Sequence, residues 1–170
     1  GDVYKRQTDS CLETMKISGM ALWILVAATL FGVVYTSAGA QEMVMEIVQG
    51  MTVNRWLILL AMQAMLLVFG MFMDDYAVLT ICAPIFIPIA VFLGFDATWF
   101  AIVFILNMQV AYLTPPFGWA LILMKGVAPP EIHTKDIWRA VPPFVLIQLI
   151  VLVLTMLFPQ LALWLPEKML

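Results

Sequence analysis

Long uncharged runs separated by short polar clusters organise this chain. A helix needs about 20 apolar residues to cross the hydrocarbon core of a bilayer, so each such run is a candidate span. Residues 17–41, after Lys16, predict one membrane helix that stops among Ser37, Ala38 and Gly39. In residues 42–54 the pattern changes: Met43, Val44, Ile47 and Met51 recur at helical spacing between Glu42, Glu46, Gln49 and Asn54. That spacing predicts a short amphipathic helix, lying in the membrane interface, running between two spans, or serving as an ordinary linker. Residues 56–73 and 76–95 are apolar and are divided by Asp74 and Asp75, which predicts a helical hairpin with an acidic tip. At about 18 residues and roughly 27 Å each leg fits both a full crossing and a re-entrant hairpin, and Pro84 and Pro88 weaken the second leg as a regular helix.

Residues 97–126 form the next run, uncharged as far as Met124 but interrupted by Thr114-Pro115-Pro116-Phe117-Gly118. Tandem prolines remove two donors and would leave the carbonyls of Ala111 and Tyr112 without helical partners, so the run predicts a discontinuous helix. A polar connection from Lys125 to Arg139 follows, then a last span over residues 142–166 that closes with Trp164 and Pro166. Trp56, Trp99, Trp138 and Trp164 lie near charged or helix-ending residues, as interfacial anchors do.

Composition removes the alternative of a soluble domain. The apolar class makes up 64% of the chain and charged residues 11%, against about 45–50% and about 25% in soluble domains. Too few polar residues exist to build a water-facing exterior, which makes the expected class all-α, integral and polytopic. The net charge of −3 is scattered among loops and indicates neither nucleic acid nor a polybasic membrane-surface patch. Cys11 and Cys82 are too isolated for a disulfide framework or a thiolate metal motif. Residues 1–14 open with a tract that joins abruptly to the rest; they read as a non-native or fragment-edge segment, and residues 15–170 as the membrane region of a larger protein.

Two places carry candidate chemistry. Acids beside long apolar runs are costly and commonly face protein, water or a bound cation; Asp74 and Asp75 are therefore either a site at membrane depth or an exposed turn. Gly70, just before them, permits close helix approach. The break at residues 114–118 is the second place, since unwound backbone is tolerated in a membrane only where protein buries it or a watery cavity meets it. Transporters use such breaks to hold ions on freed carbonyls and anionic groups at half-helix N-termini; the alternative is a proline kink. Asn107, about two turns earlier, either turns its amide toward the same cavity or bonds a neighbouring helix. Enzyme chemistry finds no footing: the single His133 excludes a two-histidine zinc motif. Neighbouring acids on a helix point about 100° apart, and Val78 stands where a third acid of a diphosphate-metal motif belongs.

At these motifs the sequence resembles the large permease subunit, DctM type, of the tripartite ATP-independent periplasmic (TRAP) transporters, and within it the C-terminal half. The resemblance rests on GMFMDDYAVLTICAPIFIPI at residues 70–89, LGFD at 93–96, NMQ at 107–109 and LTPPFG at 113–118, followed by DIWRAVPPF at 136–144 and FPQLALWLP at 158–166. It implies a bacterial inner-membrane secondary transporter with inverted repeats, a re-entrant hairpin over residues 56–95 and an elevator-like motion, residues 42–54 being a scaffold arm helix. It also implies Na⁺ as coupling ion, with no other cofactor, held around Gly70, Asp74, Thr114 and Gly118, and substrate near Asn107, Thr114, Pro115 and Pro116. The implied partners are a small membrane subunit, a periplasmic binding protein that delivers a carboxylate, and membrane lipid. A chain lacking the first repeat is not expected to transport alone. The competing expectation is a helical membrane subunit with a structural or accessory role.

Overall fold

A computed structural model describes residues 2–73, 75–115, 118–129 and 131–169. Eight helices follow one another: α1 Asp2–Ser37, α2 Ala40–Gly50, α3 Arg55–Phe72, α4 Asp75–Phe92, α5 Ala97–Leu113, α6 Trp119–Val127, α7 Thr134–Leu157 and α8 Gln160–Met169. Four of them, α1, α3, α4 and α7, are long and apolar enough to cross a membrane, and α5 is a shorter apolar helix.

Local chemistry places several helix ends. Asn54 caps α3 by accepting from the Trp56 N–H at 3.0 Å, and Asp96 caps α5 by accepting from the Trp99 N–H at 2.8 Å. Between them α4 ends in a Schellman turn: Gly94 takes φ +83°, Phe95 N–H donates to the Ala90 carbonyl and Gly94 N–H to that of Val91. At the start of α7 the Asp136 carboxylate accepts from the His133 N–H at 3.0 Å. The stop expected near Ser37 is there, α1 ending at Ser37 and Gly39 turning the chain with φ +71°.

The core lies among α3, α4 and α5, where Leu59, Leu66, Val78, Ala90, Phe100 and Val103 are almost wholly buried, with Leu152 and Met156 of α7 and Val48 of α2 closing its sides. α3 and α4 form the expected antiparallel hairpin. α5 runs parallel to α3, since Gln63 meets Asn107 and Gly70, further along, meets Ala111. α7 runs back along α5: the Trp99 indole at the start of α5 donates to the Thr155 carbonyl near the end of α7 at 2.8 Å, and Leu121 of α6 packs against Ile137 and Val141 near the start of α7. The molecule thus has two unlike ends. One gathers the α4–α5 turn, the start of α3 and α8; the other gathers the hairpin tip, the end of α5, α6 and the start of α7.

Three expectations are corrected. The last span begins at Thr134, not at Pro142, and ends at Leu157, with Phe158 and Pro159 separating it from α8. Pro142 and Pro143 are exposed inside α7, where the carbonyls they strand, of Trp138 and Arg139, adjoin the polar connection. Trp99 is not an interfacial anchor: it is 2% exposed, because its ring stacks on Phe95 and its indole N–H is taken by Thr155. The amphipathic helix occupies Ala40–Gly50 rather than 42–54, and it turns Val44, Met45 and Val48 to the core while Met43 and Ile47 face out. Helix α4, by contrast, stays continuous through Pro84 and Pro88.

A helix break beside a hairpin tip

Leu113 ends α5 because Thr114 is extended, φ −94° and ψ +134°, with Pro115 next to it. The broken end is partly repaired from within. Thr114 N–H donates to the Ala111 carbonyl at 3.0 Å and the Thr114 hydroxyl to that of Val110 at 2.7 Å. The Ala111 carbonyl, which the prolines were expected to strand, therefore has a partner. Helix α6 restarts after Gly118, which is buried and left-handed at φ +50°. Pro116 and Phe117 lie outside the described residues, as does Asp74.

The hairpin tip reaches this break through Gly70. A Cβ added there would stand 2.7 Å from the Ala111 Cβ and 2.9 Å from the Met108 methyl, well inside van der Waals contact. Glycine is what lets the end of α3 lie against the last turn of α5. Of the residues expected in the site, Gly70 and Thr114 are thus brought to one end of two parallel, touching helices. Both helices present their C-terminal carbonyls there, and helix C-termini carry partial negative charge. The two helices that begin nearby, α4 at Asp75 and α6 after Gly118, present N-termini instead, which attract anions.

A groove of about 220 Å³ runs between the start of α4 and the second half of α5, lined by Asp75, Tyr76, Phe104, Met108, Gln109 and Tyr112 among others. Of these, Asp75 is a candidate already in the sequence, whereas Tyr76, Gln109 and Tyr112 sit within otherwise apolar runs. Among the described residues no group of three or more His, Cys, Asp or Glu could hold a metal ion; the oxygens at this end are helix-end carbonyls, the Thr114 hydroxyl and the Asp75 carboxylate. Such oxygens suit a hard cation rather than a transition metal.

Asn107 sits deeper. It is 2% exposed, and its Nδ2 donates both to the Gln63 backbone carbonyl and to Gln63 Oε1, each at 2.7 Å. Gln63, 6% exposed, had given no functional signal beyond being a lone amide midway along an apolar helix.

The sequence matches the family described as "Tripartite ATP-independent periplasmic transporter, DctM component" over residues 3–161. The chain belongs to that family. It is 31% identical over 170 residues to the sialic acid TRAP transporter permease protein SiaT of Haemophilus influenzae, covering 97% of this chain and 27% of that protein. It is 32% identical over 156 residues to the C4-dicarboxylate TRAP transporter large permease protein DctM of Pseudomonas aeruginosa (92% and 36%). To the isethionate TRAP transporter permease protein DctMQ of Oleidesulfovibrio alaskensis it is 30% identical over 151 residues (89% and 24%). The chain spans between about a quarter and about a third of the length of these relatives. This DctM-family chain is accordingly a multi-pass inner-membrane protein related to transporter permeases and not to enzymes.

Proposed function

We propose that this chain is part of the permease of a secondary transporter that uses a Na⁺ gradient to take up an organic acid. The carrying observation is the contact of Gly70 with Ala111, which lays the hairpin tip against the broken end of α5. Two carbonyl ends next to two helix N-termini form a place where a cation and an anion favour each other, which is the requirement for symport. Na⁺ fits the oxygens around Gly70, Asp74, Thr114 and Gly118. The acid group of the substrate, a carboxylate or a sulfonate, fits the helix N-termini beyond Thr114, Pro115 and Pro116. Delivery by a periplasmic binding protein, a small membrane subunit beside the permease, a surrounding of membrane lipid, and elevator-like movement of the hairpin with α5 complete the reading by family.

The test is uptake into proteoliposomes holding the complete permease, its small subunit and its binding protein, with and without a Na⁺ gradient. Parent uptake should need Na⁺, and Asp74→Ala and Pro115→Ala should insert normally yet lose it. Uptake unchanged in both variants would make the tip and the break architectural and favour a structural role.

A further inference from the structure

The Gln63–Asn107 pair has a feature that simple packing does not require. The Asn107 amide is fixed in orientation, because its N–H₂ meets a backbone carbonyl on Gln63, which only accepts, and the two hydrogens are then spent on that oxygen and on Oε1. Asn107 Oδ1 and Gln63 Nε2 are left buried with no hydrogen-bond partner among the described residues. Unpaired polar atoms in an apolar interior are costly, and two apolar residues of similar size would pack α3 on α5 without that cost. The pair also lies where it has leverage: seven residues ahead of Gly70 on α3 and seven ahead of Thr114 on α5, about two helical turns from the tip and from the break alike.

We propose that Gln63 and Asn107 are positioning residues, a polar clamp that fixes the axial register of the hairpin's first leg against α5 and so sets the spacing between the tip and the break. Apolar side chains on two parallel helices can interdigitate in more than one register, whereas an amide bonded to a backbone carbonyl holds a single one. Gly70 supplies the close approach and the clamp supplies the register. The proposal rests on the ion-site reading above for its effect on transport. It assigns Asn107 an indirect role, in place of contact with substrate.

The geometry sets an order among variants. Asn107→Leu removes both hydrogen bonds, whereas Gln63→Leu removes the side-chain bond and keeps the backbone one. In the complete reconstituted transporter, Gln63→Leu should raise the Na⁺ concentration for half-maximal uptake by about threefold, and Asn107→Leu by about tenfold, as expected for one and two interhelical hydrogen bonds. The double variant should match Asn107→Leu rather than multiply the two effects. Maximal uptake and substrate preference should stay close to the parent. A second readout does not depend on Na⁺: in a cysteine-free background, Met108→Cys, at the Gly70 contact, should be labelled faster by a water-soluble thiol reagent when either clamp residue is leucine.

An effect of Asn107→Leu with none from Gln63→Leu would overturn the clamp and make Asn107 a direct ligand. Lower yield of folded protein with unchanged half-activation and unchanged labelling would overturn it in favour of plain packing. Should parent uptake prove independent of Na⁺, the coupling-ion reading fails separately. The clamp is then judged by labelling: faster in both variants supports it, unchanged in both rejects it.

Discussion

At the residue scale, the same change should have opposite effects at different glycines. Gly70→Ala forces a methyl into Ala111 and Met108, an overpacking that costs about 1–3 kcal/mol. It should also abolish Na⁺-driven uptake by pushing the tip from the break. Gly19→Ala, inside α1 with nothing within 4 Å of the new methyl, should leave uptake intact and raise stability by up to about 1 kcal/mol. Thermal unfolding in detergent, followed with uptake, checks both. A Gly70→Ala transporter with parent stability and uptake would show that close approach is unnecessary. The special status of Gly70 was partly legible, since a glycine ahead of an acidic tip already suggested close approach. Gln63 was not legible, because an amide in an apolar run acquires a meaning once a partner on another helix is known.

At the element scale, two pairs of adjacent prolines behave differently. Pro115 and Pro116 accompany a true break, with Thr114 extended and Gly118 left-handed; Pro142 and Pro143 ride inside a continuous α7. The lost donors are the same in both. What differs is the neighbourhood: the first pair has a threonine to take up the end of α5 and a glycine able to restart α6, while the second lies exposed beside a polar connection. Pro142→Ala and Pro143→Ala should therefore be neutral to stabilising and leave uptake within about twofold, as surface changes do. Pro115→Ala should lose uptake without loss of insertion, and equal effects from both pairs, measured side by side, would refute the distinction. The spans themselves were readable from charge-free runs, as were the hairpin and the break; the ends of α2 and α7 were not, because weak polar signals near them compete with packing.

At the scale of the whole molecule, the two ends divide the work. The end holding Trp56, Phe95 and Trp99 is locked by ring contacts and by the Trp99 bond to Thr155. Trp99→Phe leaves a buried carbonyl unpaired and should cost about 1–3 kcal/mol, while the Na⁺ response of the folded fraction stays unchanged. Thr114→Val, at the other end, keeps the volume but removes the hydroxyl; it should weaken half-maximal Na⁺ activation by about tenfold, roughly 1.4 kcal/mol, with little loss of stability. Measuring unfolding and Na⁺ activation on both variants tests the division, which fails if either change moves both quantities together.

The sequence by itself determined the solvent, the helices and the family: 64% apolar residues cannot be covered by 11% charged ones, and runs of that kind can satisfy their backbone in lipid only as helices. It also marked the tip and the break as places where that rule is strained. Which helix lies against which was decided by tertiary structure, because apolar side chains pack with many partners and carry no address. The parallel contact of α3 with α5, the burial of Trp99 and the meeting of Gln63 with Asn107 depend on glycine clearance and on directional hydrogen bonds between residues tens of positions apart, and these exist only once the chain has folded.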